Sequence, residues 1–127
     1  MVVVIKDPLL AVDDIKALFT KHNMSIPDSR GQIGFYAYHN GEIIGAGFVR
    51  GMDGGQYAMI DGYITNPDQP GELRNRALDL ITYKILRTMK HFNLNCLTCF
   101  TIEPTIIERA KRFGFKIQPH TLLSISL

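Results

Sequence analysis

Asn40-Gly41 is the dipeptide that most restricts this chain. A two-residue type I′ turn needs positive φ at both central positions, and Asn followed by Gly meets that demand at the least steric cost. β-prone runs flank it, "IGFYAYH" at 33–39 and "EIIGAGFVR" at 42–50. Together they predict an antiparallel hairpin. A lone hairpin is marginal in water, so other elements must cover its apolar face.

Further strands are legible. "VVVI" at 2–5 reads as a short buried strand. "QYAMIDGYIT" at 56–65, after the turn "GMDGG", reads as another, with Gly62 marking a bulge or a close backbone approach. "NLNCLTCFTI" at 93–102 is a third, and "FKIQP" and "TLLSISL" read as two terminal strands. Three segments have helical spacing. Residues 11–22 carry Ile15, Leu18 and Phe19, with Asp13 and Asp14 early, where the helix dipole favours acids. Residues 70–92 carry one stripe, Leu78, Ile81, Ile85, Met89 and Phe92. Residues 105–113 form a short helix stopped by Gly114.

The predicted order is β-α-β-β-β-α-β-α-β-β. A strand, a long helix and another strand point to a right-handed crossover and a parallel pair. The class is mixed α/β (α+β): one domain, residues 1–127, with a central mixed twisted sheet of six to seven strands flanked by about three helices.

Composition narrows the function. Of 127 residues 46% are hydrophobic and 20% charged, as in ordinary globular chains. A net charge of +2 argues against a nucleic-acid partner. No apolar run approaches the roughly 18 residues of a membrane span. The start, "MVVVIKDPLL", has neither a basic n-region nor a small-residue cleavage site, so it reads as strand rather than signal peptide. Two cysteines are too few for a disulfide scaffold, and a reduced, cytoplasmic setting is the expectation. Cys96 and Cys99 have CxxC spacing but no second pair, and a strand would set them on opposite faces. They read as small hydrophobes, and no metal site is expected. The four histidines do not cluster, and no Gly-x-Ser-x-Gly elbow, Walker A loop or Rossmann fingerprint is present.

Three stretches, "YAYHNGEIIGAGFV", "IDGYITNPDQPGELRNRALDL" and "EPTIIERAKRFGFK", together resemble the GNAT N-acetyltransferase superfamily across nearly the whole chain. "YAYHNGEIIGAGFV" is similar to that family's second and third strands. "IDGYITNPDQPGELRNRALDL" is similar to its fourth strand and acetyl-CoA helix. "EPTIIERAKRFGFK" is similar to its late helix. The resemblance implies splayed fourth and fifth strands, with acetyl-CoA as co-substrate beside them. It also implies transfer of an acetyl group to an amine by direct attack in a ternary complex. The cofactor pyrophosphate would rest on backbone N–H groups at the turn after the fourth strand. A helix N-terminus offers free N–H groups and a partial positive charge there.

The family's turn reads V-x-P-x-x-R-G-x-G-x-G. Thr65 takes its Val slot, Pro67 its Pro, Pro70 its Arg and Gly71 its first Gly, while Leu73 and Asn75 replace the later two. The implied cofactor site is Ile64, Thr65, Pro70, Gly71, Glu72, Leu73, Arg74, Asn75 and Arg76. Glycines let phosphate approach the backbone, so Leu73 could crowd the site, while Arg74 and Arg76 could contact phosphates. The plain alternative is a simple connection, with Asp68 as N-cap and Pro70 in the first helical turn.

In the late helix, Ala110 stands where many relatives carry a Tyr acid, and Glu103 fills the Asn slot. Asp61 occupies a fourth-strand slot where relatives carry an acid, and is the candidate base. Tyr63 is the candidate replacement acid, sharing a side with Asp61 if the strand is regular. The plain readings are a surface carboxylate and a packed Tyr. Arg109, Lys111 and Arg112 read as a solvated face.

The alternative function is a non-catalytic binding or structural protein on the same fold, such as a phage virion component with a degraded cofactor site. The acceptor is unnamed, and the loop at 23–31 would help choose it. The apolar segment "TLLSISL" offers an edge for a homodimer.

Overall fold

A computed structural model describes residues 1–51, 56–119 and 123–126. Five strands form one sheet in sequential order: β1 (Val2–Lys6), β2 (Gln32–His39), β3 (Glu42–Gly51), β4 (Tyr57–Thr65) and β5 (Cys96–Cys99). The first four pair antiparallel, and β4 pairs parallel with β5. Asn40 and Gly41 have φ of 51° and 79°, so the β2–β3 turn takes the conformation its residues demand.

The helices are α1 (Val12–Lys21), entered through a 3₁₀ turn at Pro8–Leu10, α2 (Gly71–His91) and α3 (Pro104–Arg112). Side chains alternate along β2 and so divide the core. Phe35 and Ala37 join Ala77, Ile81, Ile85 and Met89 of α2. Tyr36 joins Ile15, Leu18 and Phe19 of α1 on the other face. The α2 stripe packs as its spacing predicts, except Phe92, which is the residue after the helix and is exposed.

Two expectations are corrected. The sheet has five strands among the described residues, not six to seven. Residues 115–119, "FKIQP", form no strand, and neither do 123–126 of "TLLSISL". Ile117, Leu123 and Ile125 are exposed, so these β-prone residues lack the packing surface that stabilises strands. His120, residues 121–122 and 127 of that segment, and most of the "GMDGG" turn lie outside the described residues. β5 is also shorter than "NLNCLTCFTI" suggests: Phe100 and Ile102 stay exposed, with no partner strand among the described residues.

Candidate active site

The β4–β5 ladder runs from Tyr57↔Cys96 to Ile60↔Cys99 and stops there. β4 continues to Thr65, so residues 61–65 have no partner on the β5 side among the described residues. This open edge begins at a bulge. Phe48 pairs with Gly62 and Val49 with Ile60, leaving Asp61 as the extra residue. A Cβ at Gly62 would meet nothing within 4 Å, so this glycine marks the bulge and not a close approach.

The bulge separates Asp61 from Tyr63. Ile60 and Tyr63, three residues apart, both pack on the α2 side of the sheet. Tyr63 Oη lies 2.9 Å from Thr82 Oγ1 of α2. Thr82 spends its one hydroxyl proton on the Leu78 carbonyl at 2.8 Å, so Tyr63 is the donor to Thr82. Burial pushes the Tyr63 phenol above its ordinary pKa. Asp61 instead accepts from Arg50 Nε at 3.1 Å and from Gln32 Nε2. Arg50 also donates to the Arg30 and Asp28 carbonyls, at 2.7 and 3.2 Å, and so ties Asp61 to the loop at 23–31. Asp61 and Tyr63 are therefore not brought together on one face.

Beyond Thr65 the chain turns into α2. Asn66 is buried. Its N–H donates to the Ile44 carbonyl at 2.8 Å, its Nδ2 to the Ile43 carbonyl at 3.2 Å, and its Oδ1 accepts from the Asp68 N–H at 3.0 Å. Pro70 holds the N-cap position of α2, and no side chain among the described residues caps the helix. Asp68, the expected cap, pairs with Lys21 instead. Arg74 N–H is the first to find an intrahelical partner, the Pro70 carbonyl. The N–H groups of Gly71, Glu72 and Leu73 precede it and form the orphan set of the helix start. A Cβ on Gly71 would meet nothing within 4 Å, so packing does not require this glycine.

The other predicted cofactor residues divide by side chain. Ile64 is buried on the α1 side of the sheet. Leu73 packs against the α2-side core and does not occupy the turn. Arg74 Nε donates to Thr65 Oγ1 at 3.0 Å. Glu72 and Arg76 reach the surface at the helix start. Asn75 Oδ1 accepts from Arg109 Nη2 at 3.0 Å.

Arg109 is the residue that sequence reasoning missed. It is 6% exposed, not part of a solvated face. Its Nε donates to Asp79 Oδ1 at 2.9 Å, and Arg112 Nη2 reaches the same oxygen at 3.0 Å. Burial is the largest influence on Asp79 and raises its pKa, but hydrogen bonds and charge from Arg112 and Arg109 together hold it below the ordinary value. Asn75, Pro104, Thr105, Glu108, Arg109 and Arg112 line an open cleft of about 400 Å³ beside the α2 start. Deeper in, Tyr63, Cys99, Ile106, Ala110 and Phe115 close around about 10 Å³, room for one water at most. Phe100 does not fill this space; it is exposed. Among the described residues no group of three or more His, Cys, Asp or Glu could hold a metal ion.

No protein-family model matches the chain, and no curated protein matches it in sequence. Solved structures do match in shape. A probable acetyltransferase superposes with a TM-score of 0.74 at 11% identity, covering 100% of this chain and 98% of that one. An aminoglycoside N-acetyltransferase in complex with CoA gives 0.71 at 14%, covering 99% of each. A ribosomal-protein-alanine N-acetyltransferase from Brucella melitensis biovar Abortus gives 0.70 at 11%, covering 99% and 98%. At these identities the likeness is one of fold: a GNAT-like mixed α/β architecture, shared from end to end.

Proposed function

We propose that the chain is an acetyl-CoA-dependent N-acetyltransferase. One observation carries the reading. The edge of β4 that β5 leaves open leads straight into a helix start with no side-chain cap, whose first residue is a glycine that packing does not need. A bound phosphate is what such a start accommodates. The cofactor would lie along residues 61–65, with its pyrophosphate on the N–H groups of Gly71, Glu72 and Leu73. Ile64, Thr65 and Pro70 shape the approach. Arg74, Asn75 and Arg76 flank it.

The acceptor amine attacks the thioester carbonyl carbon. Backbone N–H groups near Thr65 stabilise the oxyanion that forms. As the C–S bond breaks, the thiolate takes a proton from the Tyr63 phenol, relayed by the one water for which the space beside it has room. The proton lost by the amine passes to Asp61, through water. Acid and base on opposite faces of β4 suit a thioester threaded between them, with cofactor on the α2 side and acceptor on the side of the loop at 23–31. The acceptor is an amine on a small molecule or a protein. The cytosol, with both cysteines free, is the setting of the proposal.

A second reading has its own support. Ala110 puts no hydroxyl at the late-helix position where many relatives carry the Tyr acid, and the space beside it is packed to about 10 Å³. A scaffold that binds partners without chemistry, such as a virion component, would have these features. Labelled acetyl transfer to a panel of amines separates the two. The enzyme reading expects transfer, with kcat lowered about a hundredfold in Tyr63→Phe at unchanged CoA affinity. Intact CoA binding with no transfer to any amine would favour the scaffold.

A further inference from the structure

We infer that His22, at the C-terminus of α1, is a positioning residue for the phosphate-binding turn; the inference rests on the cofactor reading above. The turn from Thr65 to Pro70 contains no glycine, yet it must present the α2 N–H groups in one geometry. Pro67, Pro70 and the Asn66 Oδ1 bond to the Asp68 N–H set part of its conformation from within, and the rest is braced from outside. His22 Nε2 lies 2.7 Å from the Thr65 carbonyl oxygen, and a carbonyl only accepts, so Nε2 carries the proton. On the other side Arg74 Nε holds Thr65 Oγ1 at 3.0 Å, so the last residue of β4 is gripped by both helices. Lys21, the neighbour of His22, pairs with Asp68 in the middle of the turn. Gln69 Nε2 donates to Glu42 at 2.7 Å and secures its end.

Through this grip α1 reaches across the sequence by 43 residues to the place where cofactor would dock. The His22 bond turns the Thr65 carbonyl toward α1, which leaves donors, and not an acceptor, facing an incoming phosphate. Side-chain bracing thereby stands in for the backbone freedom that signature glycines supply elsewhere. The loop at 23–31 leaves directly from His22 and ends under Arg50, which holds Asp61. Cofactor turn and acceptor side are thus joined by one segment.

The test compares the full chain with His22→Ala and with His22→Gln, which keeps a terminal N–H donor. CoA affinity by calorimetry is expected to fall about tenfold in His22→Ala and to return within about threefold of wild type in His22→Gln. Amide exchange in the cofactor-free protein gives an independent reading. The Asn66 N–H is expected to exchange roughly tenfold faster in His22→Ala, while those of Phe35 and Val49 in the β2–β3 pair stay unchanged. Wild-type affinity and exchange in His22→Ala would overturn the inference, and so would a His22→Gln variant no better than Ala. Failure of the wild type itself to bind CoA would overturn the cofactor reading instead, and with it this role of His22 toward that ligand.

Discussion

Arg109 shows how a single residue can be misread. Its neighbours Lys111 and Arg112 suggest a solvated basic patch, but its partners Asp79 and Asn75 lie 30 and 34 residues away, and only the fold brings them within reach. A buried guanidinium with two such partners pins α3 to α2. Arg109→Ala is expected to cost about 1–3 kcal/mol in urea unfolding, moderated because Arg112 still pairs with Asp79. Gly47 constrains the same region from the sheet. A Cβ there would sit 2.8 Å from Ile81 Cγ2 and 3.2 Å from the Tyr63 ring, and Ile81 is fully buried with nowhere to move. Gly47→Ala should destabilise by about 1–3 kcal/mol. It should also displace the Tyr63 ring, visible as altered aromatic shifts by NMR. Unchanged stability would mean that the ring and Ile81 yield more easily than their packing implies.

At the scale of elements, local chemistry was legible and long-range chemistry was not. The β2–β3 hairpin follows from Asn40-Gly41, and α2 follows from a stripe whose members Ile81, Ile85 and Met89 are all buried. The bulge was signalled by Gly62, but its consequence depends on how β3 registers against β4. Asp61 and Tyr63 therefore look like neighbours on one face in the sequence and point to opposite faces in the fold. The terminal strands failed because β propensity reports only a fit to a half-buried pleat; Phe115 packs on the core, but residues 116–119 are exposed and pair with no strand among the described residues. The candidate site was legible as a location, the turn after β4, but not as a mechanism of support, since His22 and Arg109 come from other helices. The attachment of α3 carries a pH signature. Asp79 titrates below its unfolded value, so its contribution is present above about pH 4 and is lost as pH falls through the lowered folded pKa. Amide exchange in α3 should accelerate across that interval before β2 and β3 respond.

The whole molecule has its own titration at the alkaline end. Burial raises Tyr36 and Tyr63, and burial with the Asp14 hydrogen bond pushes Tyr38 up to about 12. A folded pKa above the unfolded one means that the native state holds its proton longer. Stability is then complete below about pH 10 and declines as pH rises toward the folded values. Urea unfolding at pH 9 and 11 should show this decline. Tyr36 Oη is buried with no hydrogen-bond partner among the described residues, so Tyr36→Phe should be neutral or stabilising at pH 7 and should lessen the alkaline loss.

The central claim is that the start of α2 binds the cofactor through its backbone, and Gly71→Pro tests it most directly. Gly71 is the first residue of the helix, where proline is well accommodated, and Pro70 before it already has extended dihedrals (φ −56°, ψ 144°). The substitution removes one N–H donor and leaves the fold intact. Calorimetric titration with CoA should show binding to the wild type near the micromolar range and at least a tenfold loss in Gly71→Pro, at equal or higher thermal stability. Equal affinity in the two proteins would place any cofactor elsewhere, and a wild type silent at millimolar CoA would contradict the account altogether.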